Sequence, residues 1–89
     1  MFPFGAPITM AGATAALAEA SKAIAAGETE FQLEGLDGSD SSAVAVLVAC
    51  RRIAQQAGRP IRLAGMPASL ASLAQLYGVD TLLAEPAER

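Results

Sequence analysis

Asp40-Ser41-Ser42-Ala43 sets a carboxylate and two hydroxyls where a glycine-punctuated loop runs into an almost wholly apolar stretch, Val44-Ala45-Val46-Leu47-Val48-Ala49-Cys50. The first turn of a helix has unpaired backbone N–H groups and partial positive charge. A serine there can cap the helix, hold an anion or accept a phosphoryl group. Each of these serves recognition or switching rather than bond breaking. Catalysis by Ser41 lacks support. The chain has no histidine, which removes the commonest general base, and no lysine or second acid stands out as a substitute. Asp40 could deprotonate the hydroxyl in principle, but adjacent side chains at a helix start more often compete for the cap. The chain reads as non-enzymatic.

Cys50 is the single cysteine. An internal disulfide is excluded and no thiolate cluster is left for a metal. In its apolar run the thiol is expected to be buried and inert. Neither a metal nor a cofactor is expected.

The net charge of −3 and an isoelectric point near 4.6 argue against nucleic acid and against adhesion to anionic lipid, both of which attract Lys- and Arg-rich chains. Basic residues do gather at Arg51, Arg52, Arg59 and Arg62. They either solvate one helix end and the loop after it or form a docking face for an acidic partner. The N-terminus has no positive segment followed by a continuous apolar run, so no signal peptide is read. The longest apolar runs are under half the ~20 residues needed to span a bilayer. The chain is expected to be cytoplasmic.

These 89 residues suffice for one small core. Hydrophobic residues make up 53% and aromatics only 4%, so Ala, Val, Leu and Ile must supply most of that core. Residues 1–7 read as a short edge strand or its remnant, because Pro3 and Pro7 forbid a central strand. Met10, Ala13, Leu17, Ala20 and Ile24 then fall at helical spacing, with Thr9 as N-cap and Gly27 as the stop. Glu30-Phe31-Gln32-Leu33-Glu34 alternates as a strand, and a loop follows at 35–39. The apolar helix runs to about Ala57, with Gly58 and Pro60 beyond it. Ile61-Arg62-Leu63-Ala64 is the next strand. Pro67 opens a third helix at its first turn, whose buried stripe is Leu70, Leu73, Ala74 and Tyr77, and Gly78 ends it. Val79, Leu82 and Leu83 pack back, and residues 85–89 read as a frayed tail. Strands alternating with helices imply an α/β chain: a small, mostly parallel (mixed) sheet with three helices packed on it.

At ~100° per residue, Ala43, Val46, Leu47, Cys50, Ile53, Ala54 and Ala57 share the side of the middle helix that faces the sheet. Ser41, Ala45, Val48 and Arg52 follow the opposite line, with Val44 and Gln55 beside it. A solvent-facing line usually carries Lys, Glu or Gln; this one is small and apolar near Ser41. Isolated exposed valines are also ordinary on protein surfaces. The sharper reading is a partner-docking patch of Ser41, Val44, Ala45 and Val48. Fully burying one valine contributes roughly 1.5–3 kcal/mol. Ser41 is then a cap, a phosphorylation site or an interface hydroxyl.

Residues 35–47 resemble the signature of STAS domains, the sulfate-transporter and anti-sigma-factor-antagonist family, in which a turn leads through D-S-[ST/A]-G-L into an apolar helix. Ala6-Pro7-Ile8-Thr9 is similar to the G-x-L-T approach of the MlaB-like branch, and residues 67–79 to its P-x-x-L-x-x-L-A-x-L-Y-G-V helix. The resemblance implies one STAS-like domain over residues 1–89, with its core at about 6–83. It implies a non-catalytic cytoplasmic subunit that binds an ABC ATPase (MlaF-like) and supports ATP hydrolysis in a phospholipid-transport complex with a permease, held at the inner face of the inner membrane through that complex. Such transport serves outer-membrane lipid asymmetry. The resemblance puts Ser41 at the ATPase contact; together with the motif and the outward line of the middle helix, the candidate partner-binding residues are Asp40, Ser41, Ser42, Val44, Ala45, Val48 and Arg52. The alternative branch is an anti-sigma-factor antagonist switched by phosphorylation of Ser41. Three positions depart from the pattern: Ala43 replaces the motif glycine, Gln32 and Glu34 replace Asp and Ser on the preceding strand, and only Phe2 to Phe4 could supply part of the usual first strand. A missing strand would leave a sheet edge for a partner or a second copy.

Overall fold

In a computed structural model, the described residues are 2–79 and 83. They run in the order β1 (Phe2–Pro3), α1 (Ala13–Ala25), β2 (Glu30–Gln32), α2 (Ser41–Gln56), β3 (Arg62–Ala64) and α3 (Ala68–Leu76). Short 3-10 turns at Met10–Gly12 and Glu34–Leu36 precede α1 and α2. The strands pair in the order β1-β2-β3, with Phe2 opposite Phe31 and Phe31 opposite Leu63. The α/β expectation holds. Both pairings are parallel, so the sheet of the described residues is not mixed.

Alternation sorts the sheet into two faces. Phe31 and Leu63 are buried, whereas Glu30, Gln32 and Arg62 between them point the other way. On that outer face the Gln32 amide donates to Glu30 Oε2 at 2.6 Å. Pro3 lies on an edge strand, as its missing N–H requires. The three phenylalanines of the chain form one cluster, Phe2 with Phe4 and Phe31 at 5.2 Å between centroids and Phe4 with Phe31 at 5.8 Å. The few aromatics thus pin the N-terminal segment to β2. Gly35 lets that segment pass: a Cβ there would stand 2.1 Å from the Phe4 carbonyl oxygen.

The helices close as the glycines forecast. Gly27, Gly58 and Gly78 each follow a helix end and donate to the carbonyl three residues back, at 3.0–3.1 Å, while the next residue donates five back. This paired bonding satisfies carbonyls that the helix end leaves open. Two arginines of the basic group act on the backbone. Arg59 donates to the Ile24 and Ala25 carbonyls at 3.1 Å, placing a cation at the negative end of α1. Arg51 donates to the Ile61 carbonyl at 2.9 Å and the Leu83 carbonyl at 3.4 Å. Two of the four arginines are thus engaged on backbone carbonyls.

Several positions differ from expectation. Met10 is 78% exposed, because residues 10–12 form a 3-10 turn and α1 begins only at Ala13. Thr9 makes no side-chain capping bond. The strand expected at 30–34 pairs over Glu30–Gln32, Leu33 adds one bond to the Ala64 carbonyl, and the chain then tightens. Tyr77 is 55% exposed rather than buried, since it follows the last residue of α3 and leaves the stripe's register. Ala57 is exposed for the same reason at the end of α2, and Ile53 is half-buried. Leu82 and residues 85–89 lie outside the described residues.

Candidate functional site

The loop before α2 holds three parts of the molecule together. Ile8 N–H donates to Ser39 Oγ at 2.8 Å, and Asp40 N–H returns a bond to the Ile8 carbonyl at 3.2 Å. Asp40 Oδ2 accepts from Met10 N–H at 3.1 Å. Its Oδ1 accepts from Ser42 N–H at 2.9 Å and from the Ser42 hydroxyl. Asp40 is therefore the N-cap of α2, and it also takes the first N–H of the 3-10 turn ahead of α1. The Ser42 hydroxyl and then the Ser42 and Met10 N–H groups hold its carboxyl below the usual carboxylate range. On the other side the Ser69 hydroxyl donates to Asp37 Oδ1 at 2.9 Å, tying the start of α3 to the same loop.

With Asp40 in the capping role, Ser41 is left exposed, and its hydroxyl makes no side-chain hydrogen bond among the described residues. It stands at the head of a groove of about 510 Å³ that runs down α2. Val44, Ala45, Val48, Ala49 and Arg52 continue the α2 side, and Tyr77 and Val79 form the opposite wall. The wall exists because Gly78 adopts φ 72° and turns the chain back, so that Val79 N–H bonds the Ala74 carbonyl at 2.9 Å. Arg52 is the one charged residue among the described residues of this lining. Its described lining offers shape, apolar contact, the hydroxyls of Ser41 and Tyr77, and one cation.

The outward line expected of α2 is thus present, with corrections. Val44 is only 4% exposed and belongs to the core. A helix covered on one side would leave Val44 beside the outward line, but α2 packs against both α1 and α3 and shares one buried core with Phe31 and Leu63 of the sheet. Val48 is half-buried, while Ala45 and Arg52 are exposed. Asp40 and Ser42 face each other and do not line the groove. Ala49 of α2 also lines it, and Tyr77 and Val79, expected to pack inward, form its other side. The periodicity placed Tyr77 inside, and only its position next to Gly78 hints that it turns outward. Cys50 is buried on the opposite side of α2 from the groove, and burial pushes its thiol up to about 11.

Among the described residues, no group of three or more His, Cys, Asp or Glu could hold a metal ion. No helix of the described residues is long and apolar enough to cross a membrane. Comparison with protein families matched one, described as MlaB, STAS domain, over residues 7–84. Comparison with curated proteins and with solved structures returned no match.

Proposed function

The chain belongs to the MlaB-like STAS domain family, and from that premise we propose that it is a non-catalytic subunit that docks on the ATPase of an Mla-type phospholipid-transport ABC complex. In this reading it works on the cytoplasmic side of the inner membrane and reaches the membrane only through its partners. The observation that carries it is the Ser41 hydroxyl, free of capping duty at the head of an apolar groove. An exposed hydroxyl beside apolar surface is suited to one buried bond with another protein, with aromatic and aliphatic contacts around it. Tyr77, at 55% exposure, is the natural anchor, because tyrosine is enriched among residues that dominate interface energy.

The test is co-purification with the cognate ABC ATPase. Ser41→Arg places a long cation at the groove head and is expected to abolish the complex while leaving the circular dichroism spectrum unchanged. Retention of the complex at wild-type yield would sink the reading.

A second reading draws on the same hydroxyl: phosphorylation of Ser41 by a kinase, as in anti-sigma-factor antagonists. A phosphate at a helix N-terminus gains from the dipole and from open N–H groups. Incubation with a cognate kinase and ATP, followed by intact-mass measurement, decides it. An unshifted mass ends that version.

A further inference from the structure

Resting on the docking reading above, we infer that the groove receives an amphipathic helix of the partner whose apolar face ends in a carboxylate, and that this carboxylate pairs with Arg52. The groove follows α2 from Ser41 to Arg52, eleven residues apart in the chain, which at 1.5 Å per residue is about 16 Å. About three turns of a second helix fit that length, enough for contacts at i, i+3, i+4 and i+7. The side chains on the α2 side are small, Val44, Ala45, Val48 and Ala49. Small residues let two helix axes approach closely. The opposite wall is Tyr77 and Val79, so the trough is apolar for most of its length.

Charge selects the occupant. The chain carries a net charge of −3, yet the described residues lining the groove include no acid and a single base. Arg51 and Arg59 are engaged on backbone carbonyls, whereas Arg52 is exposed and has no hydrogen bond or ion pair among the described residues. At the other end, the N-terminus of α2 is already met by the Asp40 carboxylate, so Arg52 is the charged group left to select a partner. A planar guanidinium at the end of an apolar channel matches a carboxylate through two parallel bonds. The groove thus discriminates between partner helices by one charge, with the apolar floor supplying contact area.

The experiment measures binding of the full chain to the cognate ATPase for wild type, Arg52→Gln, Arg52→Glu and Ser41→Arg, at low and high salt. Arg52→Glu is expected to weaken binding by about tenfold or more, since like charges brought together in an interface are strongly unfavourable. Arg52→Gln is expected to weaken it less and to flatten the salt dependence. Reversal of one acidic residue to Arg on an exposed helix of the ATPase is expected to restore binding to Arg52→Glu. Unchanged affinity in Arg52→Glu, or failure of every such reversal to rescue it, overturns the carboxylate pairing. If Ser41→Arg still abolishes binding in that case, the docking reading survives without this contact. If neither variant weakens binding, the docking reading itself has failed. Circular dichroism and thermal unfolding of each variant confirm that exposed substitutions leave the fold intact.

Discussion

Asp40 accepts from Met10 on one carboxylate oxygen and from Ser42 on the other, so its removal releases two chain segments at once. Asp40→Ala is expected to lower the melting temperature clearly, and Asp40→Asn less, because the amide keeps one acceptor oxygen. Ser41→Ala, one position on, should leave stability within about 0.5 kcal/mol, as exposed substitutions without a structural role usually do. Acid adds a second check. Because hydrogen bonding holds the Asp40 carboxyl below its ordinary 3.8, the folded chain binds this proton less readily than the unfolded chain. The resulting stability is fully present above 3.8 and is lost as pH falls through the lowered folded value. Asp40→Asn should therefore show a shallower loss of melting temperature below that pH than wild type. Both residues are good N-caps by type, so the order Asp40-Ser41 could not by itself say which one would cap. The bond to Met10, from a distant segment, accompanies the choice and leaves Ser41 open.

The groove is made by α2 and the reversal after α3, and the reversal depends on one conformation. Gly78 at φ 72° lies where a side chain costs about 1–2 kcal/mol. Gly78→Ala should cost about that much in chemical denaturation and weaken ATPase binding beyond what lost stability explains, because Val79 and Tyr77 shift. Gly58, at φ 68° after α2, lies outside the groove lining. Gly58→Ala is the matched comparison, expected to lose similar stability and keep binding. Equal binding losses in the two variants would remove the groove wall from the argument. The helix ends were readable because glycine and the loss of apolar period coincide at Gly27, Gly58 and Gly78. The start of α1 was not, since Thr9 looks like a cap while Asp40 does that work from the other side of the loop. The second strand is shorter than its alternation suggests, because the polar–apolar pattern continues through Leu33 and Glu34 while the chain enters a 3-10 turn at Glu34–Leu36.

In the whole molecule, α2 is central: α1 and α3 flank it and the phenylalanine-lined sheet lies in the layer beside it. Cys50 is fully buried at this centre, and its thiol, pushed up to about 11, holds almost no thiolate at neutral pH. Alkylation of Cys50 should therefore be negligible in native buffer and should rise with denaturant in parallel with the loss of helical dichroism. Rapid modification of the native protein would show that α2 opens from the core on its own.

The α/β alternation, the three glycine-closed helix ends, the apolar middle helix and the hydroxyl pair at its start were all decided by residue type and spacing. These are local properties, because period and turn chemistry act within a few residues of the chain. Three features needed the tertiary structure: Val44 inside, Asp40 rather than Ser41 on the cap, and Tyr77 with Val79 across from Ser41. Periodicity assigns each side chain an angle about its helix axis but not the number of neighbours around that axis. A helix with packing on several sides buries a wider arc than its moment suggests, and a groove exists only where two separately formed elements leave a gap.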